Sequence, residues 1–230
     1  MDWIDLFDLF LFDFDGLLVD TESLHYRAYQ ESCAHFGEKL LWDFSTFLGY
    51  AHASSEELQR VLKNELPQVF RQVSWDVFYE RKKTNYYRLL EVDPPKLTKG
   101  AASLLSRLEK EKKTAVIVTH SPRAHVLRLI GKEPILQTIT MVVTREDYER
   151  PKPFPDSYLC AMERFPEKRQ VVGFEDSFRG LEALSQVALV PVFIQKRSYP
   201  LWSMALSLNP VYAPSLSELF TENFSHRTRS

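Results

Sequence analysis

The stretch LFLFDFDGLLVD, residues 9–20, organises the rest of the chain. Its apolar part, Leu9 to Phe12, predicts a short buried strand that ends at Asp13. Gly16 then allows a sharp turn that other residues adopt only at a cost in free energy. Because ligands of α/β sheets bind beyond the carboxyl ends of the strands, acidic residues at this point indicate a functional site.

Two carboxylates, Asp13 and Asp15, flank Phe14 at the predicted strand end. One carboxylate there can act as a nucleophile and the other as a general acid and base, and together they attract a hard cation such as Mg²⁺. The alternative is an acidic corner in which Asp20 caps the following helix. Two acids on either side of one apolar residue serve no packing purpose, so this alternative suits Asp20 better than Asp13 and Asp15.

Composition excludes several classes of protein. The chain has 230 residues, 44% of them hydrophobic and 26% charged, with a net charge of −2, so the charge balance gives no reason to expect nucleic acid or an anionic membrane as a partner. The start, MDWIDLFDLF, lacks the basic region of a signal peptide, and no apolar run is long enough to span a bilayer. We therefore expect a cytoplasmic protein with free thiols at Cys33 and Cys160. Oligomeric state is not indicated, and a monomer is compatible with the sequence.

The predicted domain organisation follows from a change in the secondary-structure pattern near Gly100, from helices alone to alternating strands and helices. Residues 21–92 are expected to be helical and rich in aromatic side chains, with Lys82 and Lys83 on a solvated face. The stiff connector VDPPKLT, residues 92–98, ends this block. We predict an α/β core domain formed by residues 1–20 and 93–230, with residues 21–92 inserted as a small helical domain.

Beyond the connector, short apolar runs alternate with helical segments. This alternation predicts a mostly parallel sheet covered by helices on both faces, the fold class being α/β and Rossmann-like. Residues 221–230 are expected to be frayed. The predicted strands are Ala115–Thr119, Met141–Val143, Val171–Phe174 and Val190–Ile194, with an edge strand at Val211–Ala213.

Thr119 and His120 end the second of these strands. A hydroxyl and unpaired backbone N–H groups at a strand-to-helix junction suit a phosphate oxygen. Ser121 is expected to cap the helix that begins with Pro122. The alternative is that Thr119 only caps the turn.

Further charged residues stand at later junctions. Prolines on both sides of Lys152 hold it extended, and such a lysine can neutralise charge between a phosphate and carboxylates. Glu175 and Asp176 form a second carboxylate pair at a strand end. Capping of the next helix, by Ser177 or Asp176, explains one of these acids but not both.

The combined motifs resemble the haloacid dehalogenase superfamily, and most closely its branch of β-phosphoglucomutase-like phosphatases. DFDGLLVDTE, residues 13–22, is similar to the first motif of that branch, and VIVTHS, residues 116–121, to the second. RPKPFPDSY, residues 150–158, is similar to the lysine motif, and VVGFEDS, residues 171–177, to the fourth. The resemblance covers roughly residues 9–194 and implies a helical cap where this chain has its helical block.

The resemblance also implies roles for individual residues. Asp13 would be the nucleophile that forms an aspartyl-phosphate, and Asp15 would protonate the leaving oxygen and then deprotonate the attacking water. The phosphoryl group would be held by Thr119, the backbone N–H of His120, and Lys152.

A magnesium site is implied as well. Mg²⁺ would be held by Asp13, the backbone carbonyl of Asp15, and Asp176, with Glu175 in the same shell. The implied partner is a small phosphorylated metabolite.

Two departures from the family pattern bear on function. His120 stands where the family often has Asn, Ser or Ala, and it changes the polarity of the cleft. In the mutases a cap arginine grips the second phosphate of a bisphosphate, whereas the corresponding stretch here, FLGYAHASS, residues 47–55, contains His52 and no arginine. This difference argues against a mutase.

We therefore predict a Mg²⁺-dependent phosphatase with a phosphoric monoester as substrate. The first alternative is a sugar-phosphate mutase, which shares the core residues and differs in the cap. The second is a non-catalytic phosphate-binding module, against which Asp15 argues because such a module needs no acid–base residue. A dehalogenase fits less well, because it would not need the magnesium-binding acids. The substrate-contacting roles of His25, Tyr50, His52 and Lys82 stay open.

Overall fold

The computed structural model describes residues 2–187 and 190–224, which form two compact units. An α/β unit contains the chain up to Val19, Leu97–Ser198, and the chain from Trp202 onward. A helical unit contains Asp20–Lys96 together with Tyr199–Leu201. The roles of these units as catalytic core and cap remain predictions.

The helical unit begins and ends its helices at clear local signals. The Ser54 hydroxyl accepts a hydrogen bond from the backbone N–H of Glu57 at 2.9 Å, and the third helix stops just before Pro67. The second helix was not predicted, and it is capped by Asp43, whose carboxylate accepts from Thr46 N at 2.7 Å. The helices are α1 (Glu22–His35), α2 (Phe44–Ala53), α3 (Ser55–Glu65), α4 (Pro67–Gln72) and α5 (Trp75–Val92).

Lys82 is buried in this unit, so its assignment to a solvated face was wrong. Only 5% of the residue is exposed, and its Nζ lies 2.7 Å from His25 Nδ1. The same Nζ lies 5.0–5.6 Å from the ring centroids of Tyr29, Tyr79 and Tyr86. Aromatic faces attract a cation, and these contacts replace part of the water that the ammonium group loses.

A short segment, Tyr199–Leu201, belongs to the helical unit although it lies far away in sequence. The Tyr199 hydroxyl is 3.0 Å from His52 Nδ1, and both residues are 4% exposed. A Cβ atom at Gly49 would lie 3.2 Å from Pro200. The Tyr199 side chain is therefore buried in the helical unit, and Pro200, although exposed, lies against Gly49 of the same unit.

The α/β unit is built on a six-stranded parallel sheet in the order β3-β2-β1-β4-β5-β6. This order confirms the predicted α/β, Rossmann-like fold with its mostly parallel sheet. The strands are β1 (Leu9–Phe12), β2 (Thr114–Val118), β3 (Met141–Val143), β4 (Val171–Glu175), β5 (Val190–Ile194) and β6 (Val211–Ala213). The helices are α6 (Ala101–Lys110), α7 (Arg123–Lys132), α8 (Asp156–Glu163), α9 (Phe178–Ser185) and α10 (Trp202–Ser207).

Both ends of the described chain help to cover the sheet. The ring of Trp3 stacks on Phe224 with centroids 4.7 Å apart, and Phe224 is fully buried. The expectation that residues 221–230 fray is wrong for Thr221–Phe224, because burial of this large ring fixes the turn. Residues 225–230 lie outside the described residues. Among the described helices, none combines the length and the apolar character that crossing a bilayer requires.

Gly100 provides a test of the α/β packing. Its φ of +93° is left-handed, and a Cβ atom there would lie 2.2 Å from Ser217 N. Gly131 has open space around its Cβ position. We expect Gly100→Ala to lower the free energy of unfolding by about 2–4 kcal/mol, because left-handed strain and overpacking add.

The matched control is Gly131→Ala in α7, which should leave stability unchanged or raise it by about 0.5–1 kcal/mol. Urea unfolding followed by tryptophan fluorescence measures both variants. Equal effects of the two substitutions would contradict the close approach at Gly100.

Candidate active site

The site lies where the order of the sheet reverses. From β1 the chain continues through β2 and β3 on one side and through β4, β5 and β6 on the other. The carboxyl ends of β1, β2 and β4 therefore adjoin one another, and such a switch point is where open α/β sheets bind ligands. Asp13 follows β1, Thr119 follows β2, and Glu175 ends β4.

Lys152 joins all three of these strand ends. Its Nζ donates to Asp13 Oδ1 at 2.5 Å, to Glu175 Oε1 at 2.7 Å, and to the carbonyl of Val118 at 3.0 Å. Lys152 is only 7% exposed. A buried ammonium group with three acceptors is fully satisfied, so this lysine is held in one position.

Glu175 is completely buried and positioned from several sides. Its Oε1 accepts from Lys152 and from the hydroxyl of Tyr158, and its Oε2 lies 3.4 Å from Ser177 Oγ. A Cβ atom at residue 180 would lie 2.1 Å from this carboxylate, which explains why Gly180 stands there. The charge is buried at a high desolvation cost, and the lysine offsets that cost.

The electrostatics of the cluster follow from burial and from the unequal number of charges. Burial raises the pKa of Asp13 to about 8, with Lys152 opposing the increase and the charges of Glu175 and Asp15 adding to it. Burial alone would lower the pKa of Lys152, but the charges of Asp13 and Glu175 outweigh it and hold that pKa above its ordinary value. The lysine is therefore cationic, and the acids around it outnumber it.

Three buried acids could hold a metal ion. Asp13, Glu175 and Asp176 each offer an oxygen, and these atoms lie within 4.8 Å of one another. Oxygen ligands with excess negative charge are what hard divalent cations prefer. Ser177 is the N-cap of α9, where its hydroxyl accepts from Gly180 N at 3.1 Å, so Asp176 is not needed for capping.

Asp15 lies beside this cluster and is held through hydroxyl groups. Its Oδ2 accepts from Thr119 Oγ1 at 3.2 Å and from Ser121 Oγ at 2.6 Å, and its Oδ1 is 3.6 Å from His125 Nε2. The prediction that Ser121 caps α7 was wrong, because Pro122 occupies the N-cap position and the Ser121 hydroxyl donates to Asp15 instead.

His120, between Thr119 and Ser121, turns its side chain to Tyr148. Its Nδ1 lies 3.2 Å from the Tyr148 hydroxyl, which donates to the carbonyl of Thr119 at 3.1 Å. Desolvation and the nearby cations of Arg179 and Lys152 lower the pKa of His120 to about 4. The imidazole is therefore neutral near pH 7.

The predicted site residues thus fall into two groups. The first is the buried charge cluster of Asp13, Lys152, Glu175 and Asp176, and the second is the hydroxyl-lined group around Asp15 and Thr119. His25, Tyr50, His52 and Lys82 belong to the helical unit.

Sequence reasoning missed five residues that support the α/β site. Ser121 and Tyr158, which end the second motif and the lysine motif, and Gly180, just inside a helix, carried a signal that could have been used. The five are Ser121, His125, Tyr148, Tyr158 and Gly180.

Comparison with known proteins places the chain in a family. The model of the haloacid dehalogenase-like hydrolases matches residues 10–192. A phosphorylated carbohydrates phosphatase of Thermotoga maritima is 26% identical over 192 residues, which are 80% of this chain and 82% of the relative. A fructose-1-phosphate phosphatase of Escherichia coli is 25% identical over 178 residues, covering 75% of this chain and 88% of the relative.

A solved structure agrees with the fold. The crystal structure of β-phosphoglucomutase from Clostridium difficile superposes with a TM-score of 0.69 at 19% identity, covering 96% of this chain and 97% of the mutase chain. At this identity the similarity concerns the fold alone. The family match extends over most of the chain, including the strand ends that carry both groups of site residues, and the named relatives are phosphatases, so the prediction of a phosphoric monoester hydrolase is confirmed. The chain belongs to the haloacid dehalogenase-like hydrolase family.

Proposed function

We propose that the protein is a Mg²⁺-dependent phosphatase that releases inorganic phosphate from a small phosphorylated metabolite through an aspartyl-phosphate intermediate. The observation that carries this proposal is the contact of Lys152 with Asp13 and Glu175 at adjoining strand ends, with Asp15 held beside them. Phosphoryl transfer depends mainly on positioning and on neutralisation of charge. A fixed lysine and a cluster of acids supply both.

In the first step, Asp13 attacks phosphorus while the bond between phosphorus and the leaving oxygen breaks. Asp15 gives its proton to that oxygen, so the alcohol leaves neutral. The hydroxyls of Thr119 and Ser121 fix the orientation of the Asp15 carboxylate. Lys152 compensates the charge of the phosphoryl oxygens near Asp13.

In the second step, Asp15 acts as a base. It takes a proton from water, the water oxygen attacks phosphorus, and the bond to Asp13 breaks, which releases inorganic phosphate and restores both acids. One residue serves in both steps because the proton that it gives to the alcohol in the first step is replaced by a proton from water in the second.

Mg²⁺ fits the acidic cluster. We assign its ligands to Asp13, Glu175 and Asp176, whose oxygens lie close together, and to the backbone carbonyl of Asp15. The cation would neutralise charge on the phosphoryl oxygens and reduce repulsion between them and Asp13. The excess of carboxylates over lysine supports a divalent cation at this point.

The substrate class is proposed from the relatives. The two named phosphatases act, by their names, on phosphorylated carbohydrates and on fructose 1-phosphate. We infer a sugar phosphate or polyol phosphate of similar size. A cytoplasmic location stays a prediction.

A mutase is the second candidate, because a mutase shares the fold. It must grip the second phosphate of a bisphosphate, which a bidentate arginine does well. In the helical unit, His52 is buried between the Tyr199 hydroxyl and Glu22 Oε1, at 3.0 and 3.4 Å. Of the five arginines in the helical unit, Arg27, Arg60 and Arg88 pair with carboxylates, and Arg71 contacts Gln68 Oε1 at 3.4 Å. These contacts favour the phosphatase.

We expect Asp15→Asn to slow hydrolysis of alkyl phosphates by about 10²- to 10⁴-fold, the usual contribution of general acid–base catalysis. Aryl phosphates should lose less, because their leaving group hardly needs a proton. The measurement is kcat for both substrate types. Asp13→Asn is the comparator and should abolish turnover of both. Equal losses for both esters in Asp15→Asn would mean that Asp15 has another role.

We expect Asp176→Ala to raise the Mg²⁺ concentration for half-maximal activity by at least about tenfold, because a direct carboxylate ligand is lost. Titration of activity with Mg²⁺ measures this. Glu163→Ala, which removes an exposed acid from α8, is the control and should titrate like the wild type. An unchanged Mg²⁺ dependence of Asp176→Ala would refute the metal assignment.

The phosphatase and the mutase are separated by one substrate. We expect β-glucose 1-phosphate, with a trace of the 1,6-bisphosphate, to yield free phosphate and little glucose 6-phosphate, because residues 47–55, where the mutases have the gripping arginine, contain none. Both products are followed in the same reaction. Rapid formation of glucose 6-phosphate with little phosphate release would establish the mutase instead.

A further inference from the structure

The proton on His120 is located by its neighbour. The Tyr148 hydroxyl has one proton, and it donates that proton to the carbonyl of Thr119, which can only accept. Burial raises the pKa of Tyr148 to about 12, so the hydroxyl keeps its proton at neutral pH. The contact between Tyr148 and His120 Nδ1 at 3.2 Å therefore requires Nδ1 to be the donor.

The other ring nitrogen follows from this assignment. Near pH 7 the imidazole of His120 is neutral and carries one proton, which is on Nδ1. Its Nε2 is then an acceptor with no proton to give. The guanidinium of Arg145 lies 5.3 Å from the Tyr148 ring centroid and holds that ring in place, so the arrangement is built into the fold.

The location of this acceptor matters because of its neighbours. His120 is partly desolvated by its surroundings but still accessible to a ligand, and it lies between Thr119 and Ser121, whose hydroxyls donate to the proposed acid–base residue Asp15. Phosphoryl oxygens of a dianion can only accept, so Nε2 has no attraction for them. A hydroxyl group on the alcohol part of the ester can donate to it.

We propose that the His120 side chain is a specificity-determining acceptor that binds a hydroxyl group of the substrate's alcohol portion, close to the ester oxygen. This inference rests on the proposed phosphatase function and narrows its substrates to esters of polyols. Tyr148 is a positioning residue, since it fixes the tautomer without contacting the substrate.

Three esters of equal length test the proposal: propyl phosphate, 2-hydroxypropyl phosphate and 3-hydroxypropyl phosphate. The better of the two hydroxylated esters should exceed propyl phosphate in kcat/KM by about 2- to 12-fold, the usual range for one neutral hydrogen bond. The readout is this ratio, so changes in the absolute rate of a variant do not affect it.

Substitutions at His120 distinguish a ring that accepts a hydrogen bond at Nε2 from a ring that only packs against its neighbours. His120→Gln places an amide near the position of Nε2 and should keep most of the preference, whereas His120→Asn, with its amide near Nδ1, and His120→Leu should reduce the ratio to about one. Tyr148→Phe should lower it partly, because the tautomer is no longer fixed. A wild type without the preference, or a preference that survives His120→Leu, would overturn the proposal.

Failure of the phosphatase function is distinguishable from failure of this inference. Absence of phosphate release from all three esters would contradict the proposed function. The affinities of the Asp13→Asn variant for the same esters, measured by calorimetry, then decide the inference. The inference is supported if Asp13→Asn binds a hydroxylated ester more tightly than propyl phosphate and if the double variant Asp13→Asn/His120→Leu does not. Equal affinities, or no binding, refute it.

Discussion

The ion pairs of Lys152 hold the site together. One ammonium group contacts the acid that follows β1, the acid that ends β4, and the last carbonyl of β2. Each carboxylate would be costly to bury without it, and the lysine would be costly to bury without them. Because the acids still outnumber the lysine, the excess negative charge is balanced either by a proton, as the raised pKa of Asp13 shows, or by a further cation. Structure and metal chemistry therefore depend on the same few contacts.

The order of the sheet is what allows one side chain to reach three strands. Parallel strands present their carboxyl ends at the same edge, and the reversal of order at β1 places β2 and β4 on either side of it. Residues that are more than a hundred positions apart, such as Asp13 and Glu175, become neighbours there. The neighbouring groups then give the two aspartates different environments. Asp13 contacts the charged Lys152, whereas Asp15 accepts hydrogen bonds from the hydroxyls of Thr119 and Ser121.

Periodicity and local signals were sufficient for the sheet. The apolar runs at Met141–Val143 and Val190–Ile194 have the predicted limits, because buried parallel strands require unbroken apolar residues. The helix at Phe44–Ala53 was missed although Phe44, Phe47, Leu48 and Ala51 recur at helical spacing. Lys82 was misplaced because a lysine predicts a solvated position unless its contacts with His25 and Tyr29 of another helix are known. Ser121 looked like a helix cap, and only the position of Asp15 reveals its other partner. Contacts between distant segments are invisible to local patterns.

The segment Tyr199–Leu201 makes the helical unit discontinuous along the chain. A protein engineer who exchanges residues 20–96 for the equivalent block of a relative would remove His52, the partner of the Tyr199 hydroxyl. The exchange would also remove Gly49, whose missing side chain leaves room for Pro200. A chimaera must therefore carry two segments, not one. For the same reason, recombination at the two linkers alone does not transfer this unit intact, and substitutions near residue 200 are expected to vary together with those in α2.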